Sequence, residues 1–119
     1  MAAAGELANL GYWEWDVARE KVRWSDRLYV IFGVDPIGIQ PSFENFMERV
    51  HPEDRDLVSA KIQKVFRKHE PVLVDYRVVR PDNTAAVLHT YIAVDVDERG
   101  EPIRLWGVSQ DVTAPISLP

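Results

Sequence analysis

Three histidines, His51, His69 and His89, are the side chains of this sequence best suited to acid–base or metal chemistry. His51 heads the run His51-Pro52-Glu53-Asp54, an imidazole with two carboxylates close behind it. As chemistry, His51 would be a metal or haem ligand or a general base, yet no second ligand and no nucleophile stands in register with it. As structure, the run reads as a helix start. The proline pushes His51 out of the helical region and suits the first helical position itself, and Glu53 and Asp54 then fall where unpaired amides and the helix dipole favour negative charge. The structural reading is the stronger one. His69 stands beside Pro71 and reads as a helix-terminal residue. Cysteine is absent, which removes disulfides, thiolate metal sites and cysteine-based covalent chemistry together. There is no Ser/His/Asp spacing, no phosphate-binding glycine loop and no pair of carboxylates on one helix face, so an enzyme is the weakest expectation.

The chain of 119 residues, 46% hydrophobic and 28% charged, with four Trp, four Tyr and four Phe, is expected to form one domain with a core that needs no staple. Its formal net charge of -5 gives no general attraction to phosphate backbones or anionic lipid, so neither nucleic acid nor direct membrane contact is expected. Lys61, Lys64 and Lys68 form a basic stripe that reads as a solvated helix face. No apolar run approaches the roughly 18 residues of a spanning helix, and the start MAAAGELANL lacks a basic region and a long apolar core, so a cytoplasmic location is expected.

Hydrophobic spacing shows which elements must position these groups. The run from Ile103 to Thr113 places Ile103, Leu105, Gly107 and Ser109 on one side and Arg104, Trp106, Val108 and Gln110 on the other. Apolar on both sides, it is expected to be the central strand of a sheet. At the other end, residues 1–10 carry helix formers and the Leu7/Leu10 pair, the mark of a short N-terminal arm helix broken by Gly11. Tyr12 to Val17 and Lys21 to Trp24 alternate and read as a hairpin. Ser25 caps a two-turn helix that buries Leu28, Tyr29, Ile31 and Phe32 and stops at Gly33; Ser42 caps a second, with Phe43, Phe46, Met47 and Val50 on one face. The helix opened at Pro52 runs to about Lys68 with Val58, Ile62, Val65 and Phe66 inward. Val74 to Val79 and Ala85 to Val94 are strands about a turn at Pro81, Asp82 and Asn83, and Asp97 to Gly100 turns into the last strand. This is an α+β order, an antiparallel sheet with its helices on one face.

Five stretches in this order also carry a resemblance: WEWD, the W-S-D at Trp24 to Asp26, VHPEDR at Val50 to Arg55, YRVVRPD at Tyr76 to Asp82, and WGVSQDVT at Trp106 to Thr113. Together they resemble a PAS sensor domain of the type common in bacterial sensor histidine kinases and diguanylate cyclases. The resemblance covers about residues 11–114 and leaves 115–119 as a tail or the start of a linker. It implies a PAS-like five-stranded antiparallel sheet in the order 2-1-5-4-3, with short helices packed on one face over an interior where family members hold flavin, haem, small metabolites or nothing. It also implies that Tyr76, Val78, Thr90, Leu105 and Ser109 point into that interior as a candidate ligand-binding set. Asp111-Val112-Thr113 resembles the family's D-I-T triplet, which joins the last strand to the output linker. A carboxylate and a hydroxyl there can tie the strand end to neighbouring amides, and an ordinary strand-end cap is the alternative.

Departures from the family pattern narrow the cofactor. Without cysteine there is no cysteinyl-flavin photocycle and no chromophore attached through cysteine. The family's flavin-bonding glutamine is replaced by Ser109, and Gln110 faces the other way. Haem is not expected, because His51 and His69 lie at the edges of the long helix and His89 on the outer face. The cofactor, if any, is left unknown. On that outer face Val79, Val87, Tyr91, Trp106 and Val108 form an apolar area too large to leave wet, so a homodimer through this face is expected, with the arm at Leu7 and Leu10 covering part of it. Two functions compete. One is a sensory module that binds a small molecule in its core and couples to a C-terminal effector such as a histidine kinase or diguanylate cyclase. The other is a ligand-free PAS domain acting as a dimerisation and signal-relay module. A polar-lined cavity would favour the first.

Overall fold

The computed structural model describes residues 9–113. The tail at 115–119 and all but the last two residues of the expected arm helix, Leu7 included, lie outside the described residues. The elements are β1 (Leu10–Asp16), β2 (Lys21–Trp24), α1 (Asp26–Phe32), α2 (Phe43–Arg49), a 3-10 turn (Pro52–Asp54), α3 (Arg55–Lys68), β3 (Val72–Val79), β4 (Ala85–Val96) and β5 (Pro102–Asp111). One antiparallel sheet runs in the order β2-β1-β5-β4-β3, so the last strand is the central one, as its two apolar sides require. Helices close one face. Leu28, Ile31 and Phe32 of α1, Phe46 of α2, and Val58, Ile62 and Val65 of α3 are buried together with Trp13, Trp24, Val74, Tyr76, Leu88, Ile92 and Leu105 of the strands. Each such side chain contributes about 1.5–3 kcal/mol by leaving water, which lets helices of seven residues persist where isolated ones would melt.

The serine caps form as their sequence positions require. Ser25 Oγ accepts from the Leu28 amide at 3.3 Å and also from the Tyr12 amide at 2.9 Å, so one hydroxyl starts α1 and fixes it to β1. Gly33 ends α1 in the left-handed region at φ 72°. Ser42 Oγ accepts from the Asn45 amide at 2.9 Å.

Several boundaries differ from the sequence reading, β3 beginning at Val72 and β4 ending at Val96 among them. Leu10 opens β1, paired with Gln110, and does not close an arm helix. Gly11 lies inside β1 opposite Ser109, and its lack of a side chain serves packing: a Cβ there would stand 2.7 Å from Leu28 Cδ1. The helix expected to run unbroken from Pro52 is a 3-10 turn followed by α3, because Asp54 turns toward β3 to receive Arg77. The expected face of α2 is also smaller, with Phe46 buried, Phe43 exposed, and Val50 beyond the helix in an isolated bridge to Val78.

Candidate functional site

All five residues of the expected interior set are buried, Tyr76 and Val78 from β3, Thr90 from β4, and Leu105 and Ser109 from β5. Thr90 and Ser109 lie opposite each other in the ladder, and their hydroxyls are hydrogen-bonded to one another at 2.9 Å. Burial pushes the Tyr76 hydroxyl above its ordinary pKa, with Thr90 and Ser109 pulling the other way, yet its oxygen makes no well-formed hydrogen bond among the described residues. Its ring meets Phe46 edge-on with centroids 6.0 Å apart.

These residues do not surround a common hollow. Among the described residues a pocket of about 20 Å³ lies under β1 and β2, lined by residues that include Trp13, Trp24, Phe46, Ile62 and Leu105. Of the five, only Leu105 touches it. That volume is room for about one water. Trp13 lies against the backbone of Gly107, where a Cβ would stand 2.5 Å from the indole, and Trp24 packs edge-on against Phe32 with centroids 5.1 Å apart. The indole N–H groups of Trp13 and Trp24 are both buried without a partner among the described residues.

The three histidines occupy three separate structural positions. His51 Nδ1 accepts from the Glu53 amide at 3.1 Å and caps the 3-10 turn. His69 closes α3 in the left-handed region at φ 58°, and His89 pairs with Asp75 across β3 and β4. No helix among the described residues is long and apolar enough to cross a membrane.

The end of β5 is tied down at several points. Thr113 Oγ1 accepts from the Val87 amide at 2.8 Å, the Val112 amide donates to Val87 O at 2.9 Å, and the Thr113 amide donates to Asp111 Oδ1 at 2.9 Å. Asp111 Oδ2 stands 3.5 Å from an Arg80 Nη. Arg80 is a functional candidate that sequence reasoning missed. Its Nε donates to Ile31 O at 2.9 Å and its other Nη to Thr84 Oγ1 at 3.3 Å, so one guanidinium joins the end of α1, the β3–β4 turn and the end of β5. No local pattern announces such a residue, because its partners come from three distant segments.

On the other face of the sheet Val87, Tyr91, Trp106 and Val108 lie on one side, half-buried to exposed. Trp106 is flanked by Tyr91 on β4 and Tyr12 on β1, with centroids 5.7 and 6.4 Å away. Its indole donates to Asp95 at 3.2 Å, and Arg104, paired with Glu14 and Asp95, lies over its ring. Leu73, 60% exposed and opposite Tyr91, extends the apolar area. Sequence reading missed it by starting the strand at Val74. Val79 shares their side but sits at the hairpin end of β3, against a separate groove.

A model of the PAS fold matches residues 21–109. The chain is 26% identical over 110 residues to the Escherichia coli protein named "Probable diguanylate cyclase DgcE", a match covering 92% of this chain and 10% of that protein. It is 27% identical over 105 residues to the sensor protein FixL of Bradyrhizobium diazoefficiens, covering 87% of this chain and 20% of that protein. The chain therefore spans between a tenth and a fifth of the length of these curated relatives. The N-terminal domain of a diguanylate cyclase with PAS/PAC sensor from Marinobacter aquaeolei superimposes with a TM-score of 0.76 at 23% identity, over 87% of this chain and 95% of that one, a likeness of fold.

Proposed function

The chain belongs to the PAS fold family, and from that premise we propose that it is a signal-relay domain of a longer cytoplasmic signalling protein, working as a homodimer with its interior filled by its own side chains. In this reading the domain turns over no substrate. It passes a shift of the sheet through Asp111 and Thr113 to an effector such as a histidine kinase or a diguanylate cyclase, the activity named for one relative. The observation that carries it is the interior space of about 20 Å³, against the roughly 300–1,000 Å³ of small-molecule sites. Trp13, Trp24, Phe46 and Tyr76 occupy the centre where a ligand would otherwise lie.

One observation favours the sensory reading instead. Trp13 Nε1, Trp24 Nε1 and the Tyr76 hydroxyl are buried donors without partners among the described residues, and a small molecule bearing acceptors would satisfy them if these rings moved aside. Native mass spectrometry of the purified chain, compared with its denatured mass, separates the two. The relay reading expects a dimer mass with nothing added. Excess mass that disappears on denaturation would overturn it in favour of a bound ligand.

A further inference from the structure

On the surface of the domain, between the end of α2 and the β3–β4 turn, lies an open groove of about 350 Å³. Its wall contains three arginines, Arg49, Arg55 and Arg80, in a chain whose net charge is -5. The arginines are not equivalent. Arg80 is fully engaged with Ile31, Thr84 and Asp111. Arg55 donates Nε to Val50 O at 3.1 Å and one Nη to Glu48 O at 3.3 Å, so its bonds go to carbonyls and no carboxylate among the described residues balances its charge. Arg49 has no hydrogen-bond or ion-pair partner among the described residues, although its Nε is shut off from water. Glu48 is the one acidic residue of the wall, and Asn83 adds a side-chain amide from the turn.

Paired guanidinium forks fit the planar or tetrahedral oxygens of carboxylate and phosphate, and Arg49 and Arg55 bring two of them to one groove wall. We propose that this groove binds an oxyanion, the phosphate or carboxylate group of a small molecule, held by Arg49 and the free Nη of Arg55 with Asn83 at the rim. The site is separate from the interior, and the proposal holds whether or not the interior takes a ligand. Its far wall is the turn that Arg80 ties to Asp111, so an occupant rests against the same turn as the strand end.

The test is a titration of the whole chain with inorganic phosphate and, separately, with succinate. It is followed by amide and guanidinium NMR in a buffer of low ionic strength free of other oxyanions, since exposed charge pairs are screened by salt. Saturable shifts at Arg49, Arg55 and Asn83 with a Kd of about 1 mM or tighter are expected for at least one probe. The probe that saturates distinguishes a phosphate from a carboxylate ligand. Arg49→Gln should weaken binding roughly tenfold or more while leaving the spectrum folded, because Arg49 holds no side-chain bond among the described residues. Arg55→Lys, which keeps the charge and loses the fork, should weaken it too. No saturable shift with either probe, or shifts unchanged by Arg49→Gln, would overturn the proposal.

Discussion

Asp54 shows how much of the architecture can depend on one carboxylate. Its oxygens accept from the Arg77 main-chain amide at 2.8 Å and from the Arg77 side chain at 2.8 and 3.0 Å, clasping the 3-10 turn to β3. Those hydrogen bonds from Arg77 hold its pKa below the ordinary carboxylate value, against the opposing effect of burial. A folded-state pKa that is depressed contributes stability that is fully present above the unfolded value and is lost as pH falls through the folded one. Asp54→Asn should therefore cost about 1–2 kcal/mol in urea unfolding at neutral pH. The gap to the parent chain should close on the acid side, below the ordinary carboxylate range, and a gap that stays constant through that range would refute the electrostatic account. Both halves of this clasp are visible in the sequence, as the HPED run and the strand at Tyr76 to Val79. Their meeting is not, because local spacing says nothing about which residue 23 positions away completes a turn.

At the scale of elements, period-2 alternation identified every strand and the centrality of β5, since side-chain alternation is imposed by the pleat itself. It failed where pairing outruns hydrophobicity. Leu10 and Leu73 belong to strands because β5 and β4 offer them backbone partners, and neither is buried. The end of β5 has the same character. Asp111 and Thr113 were readable as a triplet, but their function as a tether rests on Arg80 and the Val87 amide. Thr113→Val keeps the shape and removes the acceptor of the Val87 N–H. Hydrogen exchange at Val87 should speed up by roughly fivefold, the equivalent of a net hydrogen bond of about 1 kcal/mol, with exchange at Thr90 in mid-strand unaltered. Unchanged exchange at Val87 would mean that the strand end is held by the sheet alone, and that the triplet is an ordinary cap.

For the whole molecule, the two faces of the sheet present opposite problems. The inner face is filled with aromatic rings, as the large interior side chains lead one to expect, and the pocket under β1 and β2 holds about 20 Å³, a volume set by how those rings pack. The outer face is underfilled: Tyr91 is exposed beside a half-buried Trp106, with Leu73 opposite Tyr91 and Val87 farther along β4 also exposed. In the homodimer proposed above this apolar area would be the docking surface, a two-fold axis letting one patch cover its own copy. The Trp106 ring donates to Asp95 and lies beneath Arg104, an orientation that would lower the entropy lost were it the anchor of such an interface. Trp106→Glu places a carboxylate beside Asp95 and in the middle of that patch. Sedimentation equilibrium should show the dimer dissociation constant rising roughly thirty-fold or more, the equivalent of an anchor of about 2 kcal/mol, while circular dichroism confirms a folded monomer. A dissociation constant that does not move would place any dimer contact elsewhere and leave this face to a partner domain.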